Sequence, residues 1–216
     1  MEENNEKDFL YYENLYSENN TKLVCGIDEA GRGPLAGPVC AAAVVMPYGT
    51  IIDGVNDSKK LTEKKRELLF YTIKEKSLCY GIAFSDEKEI DEVNILNATF
   101  LAMKRAVKSL KIQPDLILVD GNRLPDFDIP AKAIIKGDSL SHSIACASIL
   151  AKVTRDRLMK ELSKKYPEYG FEKHKGYGTK AHQDALAKYG ANELTRKSFK
   201  LKGNSVKLEF RKIRIP

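Results

Sequence analysis

Leu23-Val24-Cys25-Gly26-Ile27-Asp28-Glu29-Ala30-Gly31-Arg32-Gly33-Pro34-Leu35-Ala36-Gly37-Pro38-Val39-Cys40-Ala41-Ala42-Ala43-Val44-Val45-Met46 is the stretch on which the fold turns. Two apolar runs, Leu23–Ile27 and Val39–Met46, flank a segment punctuated by glycine and proline. Short apolar runs with such borders predict buried strands, here antiparallel neighbours. The first run delivers an acidic pair, Asp28-Glu29, directly into the glycine-rich segment.

Outward from this pair the periodicity changes. Thr62 to Lys76 predicts a helix, with Thr62 as its cap and Leu68, Leu69 and Ile73 at helical spacing. Leu78 to Phe84 predicts a third strand, and Asn94 to Leu110 a helix through Leu96, Phe100, Met103 and Val107. Leu116 to Val119 and Ala133 to Ile135 read as short strands. A long helix is expected from Asp138 or Ser139 to about Lys165, and another over Lys180 to Tyr189, stopped by Gly190. Strands come first and then alternate with helices, so the expected class is a three-layer α/β domain with a mixed sheet. Residues 1–21 form a polar segment in which Phe9, Leu10, Tyr12 and Leu15 could build a short helix docked on the body. The expected domain spans 22–200, and 201–216 forms a basic tail.

The 216 residues suit one domain, and 43% hydrophobic against 31% charged residues supply an ample core. The formal net charge of +6 permits a nucleic-acid partner without requiring one. Cys25, Cys40, Cys79 and Cys146 form no C-x-x-C pair, and His142, His174 and His182 show no zinc-type spacing with them. No basic-then-apolar leader opens the chain, and no apolar run is long enough for a bilayer. A cytoplasmic setting, no membrane contact and a monomeric state are the expectations.

Asp120 ends an apolar strand, as Asp28-Glu29 do, and the carboxyl edge of an open α/β sheet is where ligands bind. Carboxylates gathered without histidine or cysteine suit a hard ion, Mg²⁺ or Mn²⁺. Two such ions about 3.5–4 Å apart can activate water and stabilise the leaving oxygen of a phosphodiester. Taken singly, each signal has a plainer reading. Asp28-Glu29 fits a solvated turn, and because strand residues alternate faces the two converge only if the strand ends or bulges there. Asp120-Gly121 fits a turn, and Asp138 fits a helix cap. Glycines on both sides of Arg32 allow close backbone approach to a ligand, whose 2′-hydroxyl could be tested there, and Arg32 could hold phosphate.

The string Gly26 to Val39 resembles the opening motif of bacterial ribonuclease HII. Four further blocks match in order: Asn56-Asp57-Ser58-Lys59-Lys60-Leu61; Val119-Asp120-Gly121-Asn122; Lys136-Gly137-Asp138-Ser139, continuing through Ser143-Ile144-Ala145, Ala151-Lys152-Val153 and Arg155-Asp156; and Lys175-Gly176-Tyr177-Gly178-Thr179 with His182. The resemblance covers roughly residues 22–200. It implies an RNase H-like fold, a mixed five-stranded sheet flanked by helices with a helical C-terminal portion. It further implies that Asp28, Glu29, Asp120 and Asp138 hold two ions, Mn²⁺ or Mg²⁺, around a scissile phosphate. The implied substrates are RNA–DNA hybrid and duplex DNA containing single ribonucleotides, cut to a 3′-hydroxyl and a 5′-phosphate. Gly31, Arg32 and Gly33 would contact the 2′-hydroxyl, Tyr177 would pack on the next sugar, and Ser58 and Lys59 would grip phosphate. Thr195 stands where the family often has histidine, leaving that position without an assigned role. The alternatives are a ribonuclease HIII-like hybrid nuclease, which normally has an added N-terminal domain and lacks this Gly-Arg-Gly form, and a catalytically silent nucleic-acid-binding module of the same fold.

Overall fold

The computed structural model describes residues 8–17 and 22–199; the basic tail lies outside them. Its centre is a five-stranded sheet of β1 (Val24–Ala30), β2 (Val39–Val45), β3 (Cys79–Ser85), β4 (Leu116–Asp120) and β5 (Ala131–Ile134) in the order β3-β2-β1-β4-β5. The pairs β1–β2 and β2–β3 are antiparallel, whereas β1–β4 and β4–β5 are parallel. The sheet is therefore mixed, and the chain has the expected RNase H-like architecture.

Strand alternation divides the core in two. Cys40, Ala42 and Val44 face α2 (Glu63–Lys76) and α4 (His142–Lys165). Cys25, Ile27, Val39, Ala41, Ala43 and Val45 face α3 (Glu87–Lys108). β2 is covered on both faces, and its three alanines let helices approach from either side. At Gly26 the approach is closer still: a Cβ there would lie 2.2 Å from the Ser143 carbonyl carbon and 2.3 Å from the Ile144 nitrogen. A third cluster holds the C-terminal portion, where α5 (Phe171–His174) and α6 (Lys180–Tyr189) pack through Phe171, Ala185 and Leu186 against Ala36 and Met159. The short α1 (Tyr11–Tyr16) lies against the start of α4, where the Phe9 carbonyl accepts from the His142 N–H at 2.9 Å.

Several boundaries differ from the sequence expectation. β1 does not stop at Ile27 but stays in register with β2 through Ala30. α3 begins at Glu87, because Asp86 and Glu89 form a reciprocal capping box, and Asn94 (φ 70°) marks a kink rather than a start. Asp138 does not cap α4: it sits in a 3-10 turn, Gly137–Ser139, and Ser141 caps the helix by accepting from the Ile144 N–H. β5 begins two residues earlier than expected. All four cysteines are free and buried, as small core residues would be. Among the described residues no helix is long and apolar enough to cross a membrane.

The Gly26 contact generates a stability prediction. Gly26→Ala meets rigid α4 backbone rather than a movable side chain, and should cost about 3 kcal/mol by denaturant titration. A loss below about 0.5 kcal/mol, within the range of neutral surface changes, would show that α4 is not seated this closely.

Candidate active site

The parallel pairing of β1 with β4 sets Ile27 beside Val119, so Asp28, within β1, and Asp120, the last residue of β4, come side by side toward the carboxyl edge of that pair. Asp28 shares the face of Gly26 and points toward α4, where Ser148 bonds to it. The 3-10 turn after β5 adds Asp138, and its backbone grips Asp120: the Gly137 and Asp138 N–H groups donate to Asp120 Oδ1 at 2.7 and 3.4 Å. Asp28, Asp120 and Asp138 each offer an oxygen such that all three atoms lie within 4.8 Å of one another. Asp28 and Asp138 are buried and Asp120 half-buried.

Glu29 is not in this tight group. On an uninterrupted strand it follows Asp28 with its side chain turned the other way, and its Oε1 accepts from Arg32 Nη1 at 3.3 Å. It stays within electrostatic range of the pocket. Burial and then the Glu29 and Asp120 charges push the Asp28 carboxyl well above the usual range. Burial and then Asp138 raise Asp120. Burial raises Glu29 against the lowering effect of Arg32. The cation beside the trio is Lys59, with Nζ 3.4 Å from Asp138 Oδ2. Three carboxylates against one ammonium leave two negative charges uncompensated when all are ionised. At an effective dielectric of about 20, each pair at this spacing repels by roughly 3 kcal/mol. An all-oxygen donor set with that deficit fits a hard divalent cation.

Ser58 and Lys59 occupy a 3-10 turn, Ser58–Lys60, and face different ways. Lys59 is exposed, whereas Ser58 is buried with its hydroxyl 2.8 Å from that of Ser148. Ser58 thus supports the carboxylate pocket from behind, through Ser148, and offers no open surface to a phosphate.

The glycine- and proline-rich loop from Gly31 to Pro38 is held by two buried arginines. Arg196 donates to the carbonyls of Gly31 (2.6 Å), Arg32 (3.0 Å) and Gly37 (2.8 Å). Arg155 donates to those of Pro38 (2.8 Å), Ala36 (3.2 Å) and Lys175 (3.0 Å). Burial, then the neighbouring Arg155 charge, pulls Arg196 down to about 9, so it remains charged at neutral pH. Gly31 has φ +96°, and a Cβ there would strike the Arg155 side chain at 1.9 Å, so no other residue fits this turn. Through Lys175, Arg155 also joins this loop to the Gly176-Tyr177-Gly178 turn. The Leu35 N–H adds a bond to the Gly176 carbonyl at 2.8 Å. Tyr177 is exposed, and its ring edge lies 3.6 Å from where a Gly33 Cβ would stand.

Sequence reasoning passed over Ser148, Arg155 and Arg196 as working parts. An arginine inside the small-residue face of α4 was the available signal for Arg155. Thr195 plays a local part, since its Oγ1 accepts from the Asn192 N–H at 3.1 Å and donates to Asn192 Oδ1 at 3.2 Å. It also bridges Ala36, which sets the adjacent Arg196 under the loop.

Residues 25–202 match the family model described as Ribonuclease HII. A Ribonuclease HII of Caldicellulosiruptor saccharolyticus is 59% identical over 191 residues, covering 88% of this chain and 93% of its own. A solved ribonuclease H2 from Pyrococcus horikoshii superposes with TM-score 0.71 at 32% identity, over 82% of this chain and 93% of that one. An Aquifex aeolicus RNase H3 shares the fold at TM-score 0.55 and 16% identity, over 87% of this chain and 77% of that one.

The raised carboxylates set the pH behaviour without ions. The folded chain takes up protons before the unfolded chain does. Ion-free stability therefore rises as pH falls through the raised folded values, and levels off near the ordinary value of about 4. Asp28→Asn removes a carboxyl that is costly to ionise in the ion-free pocket, and should raise the melting temperature in chelator, more so as the pH rises, while abolishing cleavage. A lower melting temperature together with normal turnover would contradict the electrostatic reading.

Proposed function

The chain belongs to the ribonuclease HII family, and on that premise we propose that its carboxylate pocket performs two-ion phosphodiester hydrolysis at ribonucleotides, including single ones embedded in duplex DNA. Membership makes it a divalent-metal-dependent endonuclease acting on the RNA of RNA–DNA substrates. The observation that carries the finer reading is the placement of Asp28, Asp120 and Asp138 in one pocket, with Glu29 at its rim and the glycine-rich loop beginning three residues beyond Asp28. Two bound ions, Mg²⁺ or Mn²⁺, would activate water and stabilise the leaving 3′-oxygen, giving a 3′-hydroxyl and a 5′-phosphate.

The chain's own residues then do three things. Asp28, Asp120 and Asp138 hold the ions, with Glu29 closing the set from the Arg32 side. Gly31, Arg32 and Gly33 meet the ribose, since Arg196 and Arg155 keep the loop in one shape and the 2′-hydroxyl both donates and accepts. Tyr177 lies beside Gly33 and covers the sugar on the far side of the scissile phosphate, where a deoxyribose packs closest. Lys59 and Arg32 supply positive charge for phosphate. Ser58 belongs to the support of Asp28 through Ser148.

A silent binding module of this fold is disfavoured by the intact carboxylate trio. The test is a labelled duplex with one ribonucleotide, incubated with Mn²⁺, with Mg²⁺ and with chelator. One cut with 3′-hydroxyl and 5′-phosphate ends, lost in chelator, is expected; equal cutting in chelator would remove the ion-dependent reading. Tyr177→Ala should lower kcat/KM at the single ribonucleotide by about tenfold or more, with little change in melting temperature. A large fall in melting temperature would instead make Tyr177 a packing residue.

A further inference from the structure

Glu13 is buried, yet it lies in α1, outside the residues 25–202 that match the family model. A carboxylate taken out of water is costly unless its oxygens are bonded. Here Oε1 accepts from the Ser141 hydroxyl at 2.7 Å, the Ser143 hydroxyl at 2.7 Å and the Ser143 N–H at 2.9 Å. Among the described residues Oε2 has no hydrogen-bond partner, and the bonds of this carboxylate there run to the start of α4. Its negative charge also suits the positive end of that helix.

Other contacts fix α1 in place. The Phe9 ring meets the His142 ring edge-on at 5.5 Å, and Tyr48 donates to Asn14 at 3.0 Å. Tyr12 and Tyr16 pack against the cluster of Val24, Leu116, Leu118, Ile134 and Ile144, and Lys132 Nζ stands 5.1 Å from the Tyr16 ring. Ser143 is thereby wedged between the Glu13 carboxylate and the Gly26 backbone on β1. From Ser141 the connection continues into the pocket. The Ser141 N–H donates to the Gly137 carbonyl at 2.9 Å, and the Gly137 N–H donates to Asp120 Oδ1 at 2.7 Å. Asp138 is the next residue of the same turn.

We infer that Glu13 is a positioning residue for the carboxylate pocket: it locks the start of α4, and so the turn that carries Asp138 and orients Asp120. This rests on the reading that the pocket binds divalent ions. Loss of groups that orient metal ligands typically weakens binding about 10–100-fold. Glu13 acts through one intervening turn, so the lower end applies.

The experiment is calorimetric titration of the full chain with Mn²⁺ alone, accompanied by melting curves. Glu13→Ala should raise the Mn²⁺ dissociation constant about tenfold, and Glu13→Gln, which keeps an acceptor for the serines, about threefold. Met103→Ala, in the core on the opposite face of the sheet, supplies a control that lowers the melting temperature and should leave Mn²⁺ affinity as in the unaltered protein. If Glu13→Ala does not fold, the threefold effect in Glu13→Gln supports the inference and an unchanged constant overturns it. Folded Glu13 variants with unaltered affinity overturn it, as does equal weakening by Met103→Ala, which would trace the effect to stability alone. Absence of Mn²⁺ binding to the unaltered protein would instead remove the ion-binding reading beneath it.

Discussion

Mutual repulsion among Asp28, Asp120 and Asp138 is the constraint on which this structure is organised. Three carboxylate oxygens within 4.8 Å, two of the residues buried, would spring apart if the backbone allowed it. The fold forbids that from three directions. Parallel pairing of β1 and β4 places two of them side by side on adjacent strands. The turn holding the third commits its own amides to Asp120. Ser148, backed by Ser58, holds Asp28 from the α4 side. A pocket kept together against its own charge is preorganised for cations, because little remains to be rearranged when they arrive.

A second charged device has the opposite sign. Arg155 and Arg196 are buried among backbone carbonyls, and their planar forks suit several acceptors at once. They convert a glycine-rich segment, which would otherwise sample many shapes, into a surface of fixed form beside the acidic pocket. Arg155 reaches the Tyr177 turn as well, so the parts proposed to read the ribose and the following sugar share one guanidinium. Lysine at either position could not span three carbonyls in this way.

Much of this was legible in the residues, for identifiable reasons. The apolar runs of β1, β2, β3 and β4 are bounded by glycine, proline or charge, which made the sheet visible. The match of blocks from Gly26 to Thr179 already pointed to the carboxylates. What stayed hidden depended on tertiary contacts. Alternation along an unbroken β1 separates Glu29 from the tight trio, and nothing local announces that the strand runs on to Ala30. Ser58 looked like a phosphate contact, but burial against Ser148 turns it inward. Asp138 looked like a cap, yet Ser141 three residues on takes that role. The capping box at Asp86 and Glu89 is legible in the residues and starts α3 at Glu87, ahead of the apolar periodicity that begins near Asn94. The partners of Arg155, Arg196 and Glu13 lie about twenty to more than a hundred residues away, beyond the reach of any periodicity.

The central claim is that cations relieve repulsion among carboxylates whose proton affinity the fold has raised. The direct measurement is the number of protons released on Mn²⁺ binding near pH 6, obtained from calorimetry in buffers of different ionisation enthalpy. Because ligating carboxylates must be ionised and burial with the neighbouring Glu29 and Asp120 charges raises the Asp28 carboxyl, Mn²⁺ binding should release protons. Binding with no proton release would mean that the pocket is already fully charged without ions, contradicting the account.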